Sequence, residues 1–256
     1  MELCNNFKRT ISIYILAILL ALTLSLNQTG DRVHASIIAP PAQELVELPI
    51  LMYHAVFPNG VKRIDYSINV NDLEWDIEYI IKEGYSPVCV AELIEYVKGR
   101  SKLPAKPILL TFDDGFYSMK ELVLPVLRKY KVNGVFAITG IFCERFASKN
   151  NIFGYMSYHD VAQLAKSKYV EIAGHSYDMH TLSAERKGMK KLENESEMDF
   201  EGIFKEDVKK LKIALSQISV DISSFAYPFG YREENADVYL NDLGISVSFT
   251  CSEKIN

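Results

Sequence analysis

Strand-like and helix-like segments alternate along most of this chain, and that alternation constrains the fold more than any other feature. The apolar runs typical of buried strands are Leu48–Tyr53, Ser86–Val90, Pro107–Phe112, Gly134–Thr139, Tyr169–Ala173, Ser224–Tyr227 and Ile245–Thr250. Helical patterns lie between most of them, at Asn71–Glu83, Ala91–Lys98, Tyr117–Tyr130, Ser157–Lys166, Phe204–Gln217 and Glu233–Leu243. This alternation predicts parallel βαβ units.

Parallel units of this kind build either an open, doubly wound sheet or a closed barrel. The sequence contains no Gly-x-Gly-x-x-Gly turn, which a dinucleotide-binding sheet would carry after its first strand. The sequence has seven candidate strands and lacks that turn. It therefore favours an α/β fold in the form of an irregular (β/α) barrel, with about seven parallel strands.

The N-terminal segment, residues 1–35, predicts export. Lys8 and Arg9 precede an uncharged apolar run over residues 10–26, and Val33-His34-Ala35 offers small residues where a signal peptidase reads. The run is also close to the length of a short membrane span, so an uncleaved membrane anchor is the alternative to cleavage after Ala35. Both outcomes place the rest of the chain outside the cytoplasm, as an extracellular or cell-surface domain.

Residues 36–47 predict a linker, and residues 48–256 predict one domain, expected to be a monomer. The formal charge of -5 and the pI near 5.6 argue against nucleic acid as a partner, because nucleic-acid binders concentrate positive charge. Beyond Cys4 in the predicted signal, the cysteines are Cys89, Cys143 and Cys251, an odd number without CxxC spacing. Neither a disulfide framework nor a thiolate metal site is expected.

Two adjacent carboxylates follow the strand candidate Pro107–Phe112, in the sequence Thr111-Phe112-Asp113-Asp114-Gly115. Barrel active sites form at the carboxyl ends of strands. Side chains of successive strand residues point apart, so Asp113 and Asp114 can address different atoms. A nearby cation would relieve their repulsion. A helix cap or an Asp-Gly turn is the structural alternative.

Two histidines, His175 and His180, follow the strand candidate Tyr169–Ala173. Their spacing of five residues separates them on a regular helix or strand, so binding one metal requires an irregular loop. Together with Asp114 they would form a three-ligand site with open positions, as hydrolytic metals use. Zinc is the default expectation, and Co²⁺, Ni²⁺ and Mn²⁺ are alternatives.

A third group of candidates lies at two further strand ends. Tyr227, Pro228 and Phe229 precede Gly230 and could wall a substrate site, although aromatic residues in such a place are equally at home in a core. His54 follows the first strand and is a candidate substrate-site residue or a structural histidine.

In this order, TFDDG at 111–115, HS-x-x-x-H at 175–180 and P-F-G at 228–230 resemble the polysaccharide deacetylases with a NodB-homology domain, carbohydrate esterase family four. The segment Pro49-Ile50-Leu51-Met52-Tyr53-His54 resembles the opening strand of bacterial extracellular members. The resemblance implies a metal-dependent hydrolase of carbon–nitrogen bonds that removes N-acetyl groups from a polysaccharide and releases acetate. It implies Asp113 as the base, Asp114, His175 and His180 as ligands, and a backbone N–H near Phe229 that stabilises the oxyanion.

Three departures from the family pattern bear on the function. The histidine spacing resembles the branch that deacetylates poly-N-acetylglucosamine in biofilms, with peptidoglycan as the other substrate considered. Ala226 stands where many members place an arginine, and no late histidine offers a general acid. We expect either a missing C-terminal segment after Asn256 or an acid from elsewhere. The alternative function is a catalytically inactive glycan-binding module of the cell wall.

Overall fold

The computed structural model describes residues 46–148 and 151–252. The predicted signal or anchor, including residues 10–26, and most of the predicted linker lie outside these ranges. Within them, no helix combines the length and apolar character that crossing a bilayer requires.

Nine strands are present in the described ranges, and seven of them form one sheet. In chain order they are β1 (Ile50–Tyr53), β2 (Ala55–Phe57), β3 (Ser67–Asn69), β4 (Ser86–Pro87), β5 (Pro107–Phe112), β6 (Gly134–Ile138), β7 (Val170–Gly174), β8 (Ser224–Ala226) and β9 (Val247–Phe249). The sheet runs β1-β5-β6-β7-β8-β9, with β4 paired to the start of β5. All pairings are parallel, and β2 and β3 form a separate parallel pair.

Seven α-helices connect or follow these strands. They are α1 (Val70–Lys82), α2 (Val90–Val97), α3 (Leu124–Tyr130), α4 (Gly140–Arg145), α5 (Tyr158–Leu164), α6 (Glu197–Ser216) and α7 (Ala236–Asp242). A π-helical turn, Met119–Val123, precedes α3 where one continuous helix was predicted. The sequence pattern missed β2, β3 and α4, and it started α6 at Phe204. Helix α6 begins earlier because Ser196 caps it by accepting the backbone N–H of Asp199.

Strand β5 shows why the core forms here: all six of its residues are buried. Parallel strands covered on both faces carry continuous apolar runs rather than alternating ones. One face of the sheet packs on the helices through residues such as Leu110, Phe136 and Ile172. The opposite face holds a second cluster of smaller side chains, among them Leu109, Val135, Ala137, Ala173 and Ala226. The strands therefore enclose a packed interior rather than a pore.

The sheet curls but leaves a seam between β1 and β9, the two strands at the ends of its order. No hydrogen-bonded pairing joins these strands in the described chain. A cavity of about 440 Å³ lies along the seam, lined by residues of both strands, including Met52 and Ser248, and by Asp113. The prediction of an irregular (β/α) barrel with about seven parallel strands is confirmed, and its open seam leads to a predicted site residue.

Candidate active site

The two adjacent aspartates lie where β5 ends. The backbone N–H of Asp113 donates to the Tyr53 carbonyl at 2.9 Å, which extends the pairing of β5 with β1 by one residue. Asp114 then adopts φ 77° and Gly115 φ 82°, both in the left-handed region. A non-glycine residue held there costs roughly 1–3 kcal/mol and is most often found at functional sites. This turn directs the Asp114 side chain toward the loop that follows β7.

The histidine loop, residues 175–180, begins directly after β7. The His175 N–H donates to the Ile138 carbonyl at 2.9 Å, so the loop starts from the sheet itself. Ser176 adopts φ 66°, which breaks the strand at once and makes the segment irregular, as the five-residue spacing required. The imidazole rings of His175 and His180 consequently lie 5.0 Å apart, centroid to centroid.

Asp114, His175 and His180 bring one ligand atom each to within 4.8 Å of one another. The Asp114 Oδ1 lies 2.9 Å from His180 Nε2 and 3.4 Å from His175 Nε2. That buried oxygen nevertheless has no partner with hydrogen-bond geometry among the described residues. Three donor atoms that are close without bonding each other fit a shared cation between them. One carboxylate and two imidazoles suit zinc and similar divalent metals.

The surroundings of the two histidines orient them for this role. Nδ1 of His175 lies 2.8 Å from the Ala226 carbonyl, and donation of an N–H there leaves the Nε2 lone pair free for a metal. Ala226 thus contributes through its backbone at the position where the family resemblance implies an arginine. The His180 ring is held between Phe142 and Phe229, with centroid distances of 5.1 and 4.5 Å.

The electrostatics of the three residues favour a bound cation. Burial acts to raise the pKa of Asp114, but the adjacent His175 and His180 outweigh it and hold that pKa well below its usual range. Burial acts to lower the pKa of His175, but Asp114 and the charge of Asp113 outweigh it and raise that pKa. The cluster therefore binds positive charge, which a metal ion can supply in place of protons.

Asp113 occupies a different environment from its neighbour. Its side chain is buried, and its Oδ1 has no hydrogen-bond partner within the part of the chain that the structure describes. Burial raises the pKa of this carboxyl, with the charge of Asp114 adding to the effect, while the charges of His175 and His54 oppose it. A raised pKa brings a carboxylate closer to neutral pH, where it is a more effective general base. Asp113 also lines the cavity along the seam.

The remaining predicted residues separate into two groups. Phe229, in a 3-10 turn over Pro228–Gly230, adopts φ 57° and packs against His180, at the site. The ring of Tyr227 instead lies in the core, 2% exposed, and its hydroxyl lies 2.9 Å from Asp237. Pro228 is buried too. Tyr227 also lines the cavity along the seam, together with Asp113, and substrate contact of Tyr227 and Pro228 stays a prediction. His54 is half-buried, and its charge acts on Asp113.

Several aromatic residues near the site were not predicted from the sequence. Phe142 connects His180 to Tyr155, whose ring centroid lies 4.4 Å away, and Tyr155 stacks on Phe116 at 4.9 Å. The ring of Tyr66, which is 80% exposed, lies 5.6 Å from the ring of His54, centroid to centroid. No local pattern separates these rings from core aromatics, because their approach depends on loops that are distant in sequence.

The family model described as polysaccharide deacetylase matches residues 100–248, more than half of the chain. The match includes the aspartates after β5, the histidine loop and the turn at Phe229. The chain belongs to the polysaccharide deacetylase family.

Curated relatives and solved structures agree with this membership. The poly-beta-1,6-N-acetyl-D-glucosamine N-deacetylase of Escherichia coli is 26% identical over 223 residues, 78% of this chain and 33% of the relative. The enzyme of the same name from Staphylococcus aureus is 27% identical over 192 residues, 74% of this chain and 63% of the relative. The chain therefore spans less than two thirds of the length of either relative.

Among solved structures, IcaB from Ammonifex degensii is 28% identical, with a TM-score of 0.69 over 83% of this chain and 87% of that chain. The de-N-acetylase from Aggregatibacter actinomycetemcomitans is 22% identical, with a TM-score of 0.70 over 82% of this chain and 90% of that chain. The second likeness concerns the fold alone. Both place the described domain in the barrel architecture predicted from the alternation of strands and helices.

Proposed function

We propose that this chain is a metal-dependent hydrolase that removes N-acetyl groups from an extracellular polysaccharide and releases acetate. The observation that carries the proposal is the convergence of Asp114, His175 and His180 beside the buried carboxylate of Asp113. Family membership and the named activity of the relatives support it. Poly-N-acetylglucosamine is the preferred substrate, because the histidine spacing and the names of both curated relatives agree, and peptidoglycan is the alternative.

Asp114, His175 and His180 would hold the metal, with zinc as the expected ion. Held by these residues, a divalent cation would supply Lewis acidity toward the acetamide carbonyl. Asp113 accepts the proton of the water that attacks that carbonyl carbon. The N–H groups of Gly230 and Tyr231 already bond within their turn, so we assign oxyanion stabilisation to the backbone N–H of Phe229.

The leaving sugar nitrogen needs a proton when the carbon–nitrogen bond breaks. Among the histidines in the described ranges, His175 and His180 serve as ligands, and His159 contacts Gln163 on an exposed face of α5. His54 is the remaining one, and its charge acts on Asp113. We therefore assign proton donation to His54. The products are acetate and a free amine on the sugar.

The test is acetate release from β-1,6-linked N-acetylglucosamine oligomers by the purified chain loaded with zinc. We expect release that stops when the metal is chelated and that is lost in Asp113→Asn. Peptidoglycan fragments, assayed in parallel, decide between the two substrates. Equal acetate release by the wild type and Asp113→Asn on every acetylated glycan would contradict the enzymatic function.

The second candidate function is a glycan-binding module without activity. One observation favours it: Ala226 replaces the family arginine, and Asp113 Oδ1 has no hydrogen-bond partner to orient it. Such a module would bind the same oligomers, measured by calorimetry, and release no acetate. We further propose that the protein acts as a monomer outside the cytoplasm, as the predicted export signal suggests.

A further inference from the structure

Asp207, on helix α6, contacts the histidine loop directly. Its Oδ1 accepts the backbone N–H of Tyr177 at 2.7 Å, and its Oδ2 accepts the backbone N–H of Asp178 at 2.7 Å. The two carboxylate oxygens therefore accept the N–H groups of two consecutive residues, which lie between His175 and His180 in the sequence. Asp207 is 30 residues from Tyr177 in sequence, so the contact belongs to the tertiary structure.

The loop is fixed from the opposite side by helix α4. The N–H groups of Gly140 and Ile141 donate to the carbonyls of Ser176 and Tyr177 at 3.0 and 2.7 Å. A Cβ at position 140 would lie 2.5 Å from the Tyr177 ring, so only glycine lets α4 approach so closely. The peptide groups around Tyr177 thus have α4 on their carbonyl side and Asp207 on their N–H side.

This support is needed because the loop has an unfavourable backbone conformation. Ser176 has φ 66°, and its buried hydroxyl has no hydrogen-bond partner. Such a conformation persists only where the surroundings over-determine it. Hydrogen bonds from two backbone N–H groups to one carboxylate are charge-assisted and stronger than neutral ones.

We propose that Asp207 is a positioning residue, an inference that rests on the metal site of the proposed function. It holds the histidine loop in the conformation that brings His175 and His180 to Asp114, and it does so without contacting the metal or the substrate. Without its two acceptor oxygens, the hydrogen bonds from α4 alone fix the loop. His175 and His180 are then less accurately placed for metal binding. Groups that hydrogen-bond metal ligands directly change metal affinity about 10–100-fold when they are removed, and we expect the same range for a residue that fixes the loop carrying the ligands.

The charged neighbours of Asp207 are few. Lys210 lies one helical turn further along α6, with its Nζ 4.0 Å from the centroid of the Tyr177 ring, and Asp178 lies on the loop. Burial raises the pKa of Asp207, the charge of Asp178 adds to this effect, and the charge of Lys210 opposes it. Glu206, the preceding residue, is exposed. It offers a matched substitution of the same chemistry on the same helix.

The experiment titrates the full, metal-free chain with Zn²⁺ by calorimetry, comparing wild type, Asp207→Asn and Glu206→Gln. We expect Asp207→Asn to bind Zn²⁺ about 10–100-fold more weakly, with Glu206→Gln within twofold of wild type. The amide in Asp207→Asn keeps one acceptor and turns an NH₂ group toward a backbone N–H. Zn²⁺ affinity within twofold of wild type in folded Asp207→Asn would overturn the proposal.

Folding is checked by circular dichroism of the metal-free proteins. If Asp207→Asn does not fold, the same titration of Asp207→Glu decides, because that variant keeps the charge and displaces the carboxylate by one methylene. Unchanged affinity there overturns the proposal, and weaker affinity supports it. On the acetylated oligomers, we expect the kcat of Asp207→Asn to recover at saturating Zn²⁺, which a loss of catalytic chemistry would not allow. If Asp207→Asn binds Zn²⁺ more weakly and neither the wild type nor any variant releases acetate, the proposed function is overturned. Asp207 then remains a positioning residue.

Discussion

Two carboxylates act on opposite ends of strand β7 in the same way and with different consequences. Glu171, near the start of the strand, accepts the consecutive backbone N–H groups of Val90 and Ala91 at 2.5 and 3.1 Å, where α2 begins. Asp207 does the same for two residues beyond the end of the strand. The first contact fixes the start of a helix, and the second fixes the loop that carries His175 and His180, the two histidines of the candidate metal site.

The difference indicates that this fold places contacts for stability at one end of its strands and contacts for function at the other. A barrel presents its site at the carboxyl ends of its strands, and residues at the opposite ends serve stability. Identical hydrogen-bond chemistry is therefore structural at Glu171 and, by our proposal, functional at Asp207. The predictions that follow test that separation in order of decreasing effect.

The largest effect is expected from removing a ligand at the carboxyl end. Asp114→Asn takes away the anionic donor that lies between both histidines. We expect Zn²⁺ affinity and acetate release to fall by more than ~100-fold, the upper figure for residues that only support ligands. Calorimetry and acetate assays on the same preparation measure both. Retained Zn²⁺ binding would mean that Asp114 is not a ligand.

Asp113→Asn should distinguish the role of Asp113 from that of the adjacent Asp114. Because Asp113 lies beside the three ligands and is not one of them, we expect Zn²⁺ affinity within twofold of wild type. Acetate release should fall by about 10²–10⁴-fold, the usual contribution of a general base. A parallel loss of metal binding would show that the two aspartates do not have different roles.

A third prediction concerns the pH dependence of stability through Asp207. Burial raises the pKa of Asp207 to about 6 from its usual 3.8. Because the folded state holds this proton more tightly, the favourable contribution is complete below pH 3.8 and is lost as pH rises through 6. Metal-free wild type should therefore lose stability relative to Asp207→Asn between pH 4 and 7, by on the order of 3 kcal/mol at most.

Urea unfolding of both proteins across that range, with metal chelated, measures the difference. Lys210 and Asp178 are present in both proteins, but their charges act on the Asp207 carboxylate of wild type alone, so these interactions are part of the measured difference. A stability difference that does not change with pH would show that the Asp207 carboxyl titrates at its ordinary value. A difference of the opposite sign would show that folding favours its ionised form.

The smallest effect is expected at the other end of β7. Glu171→Gln leaves one of two helix-start N–H groups without an acceptor, which should lower the free energy of unfolding by about 1–2 kcal/mol. Zn²⁺ affinity and acetate release at 25 °C should match wild type. A loss of activity without a loss of stability would break the proposed separation of the two ends.

Local sequence patterns determined the sheet and the location of the site. The bounds of β5 were predicted as Pro107–Phe112 and are found there, because a strand buried on both faces is a continuous apolar run. The polar residues that follow β5 and β7 had to meet, since parallel strands place their carboxyl ends at one edge. The residues of the metal cluster were therefore predictable before any distance was known.

Only the tertiary structure decided what supports that cluster. Asp207 lies in a helix rich in charge, where periodicity places it beside the buried stripe that includes Phe204 and Val208 but does not identify the loop that it contacts. Tyr227 belongs to an aromatic motif that suggested a substrate wall, yet its ring is in the core. The physical reason is the same in both cases. Polarity and periodicity fix an element and its ends, but the partner of a side chain is set by packing between segments distant in sequence.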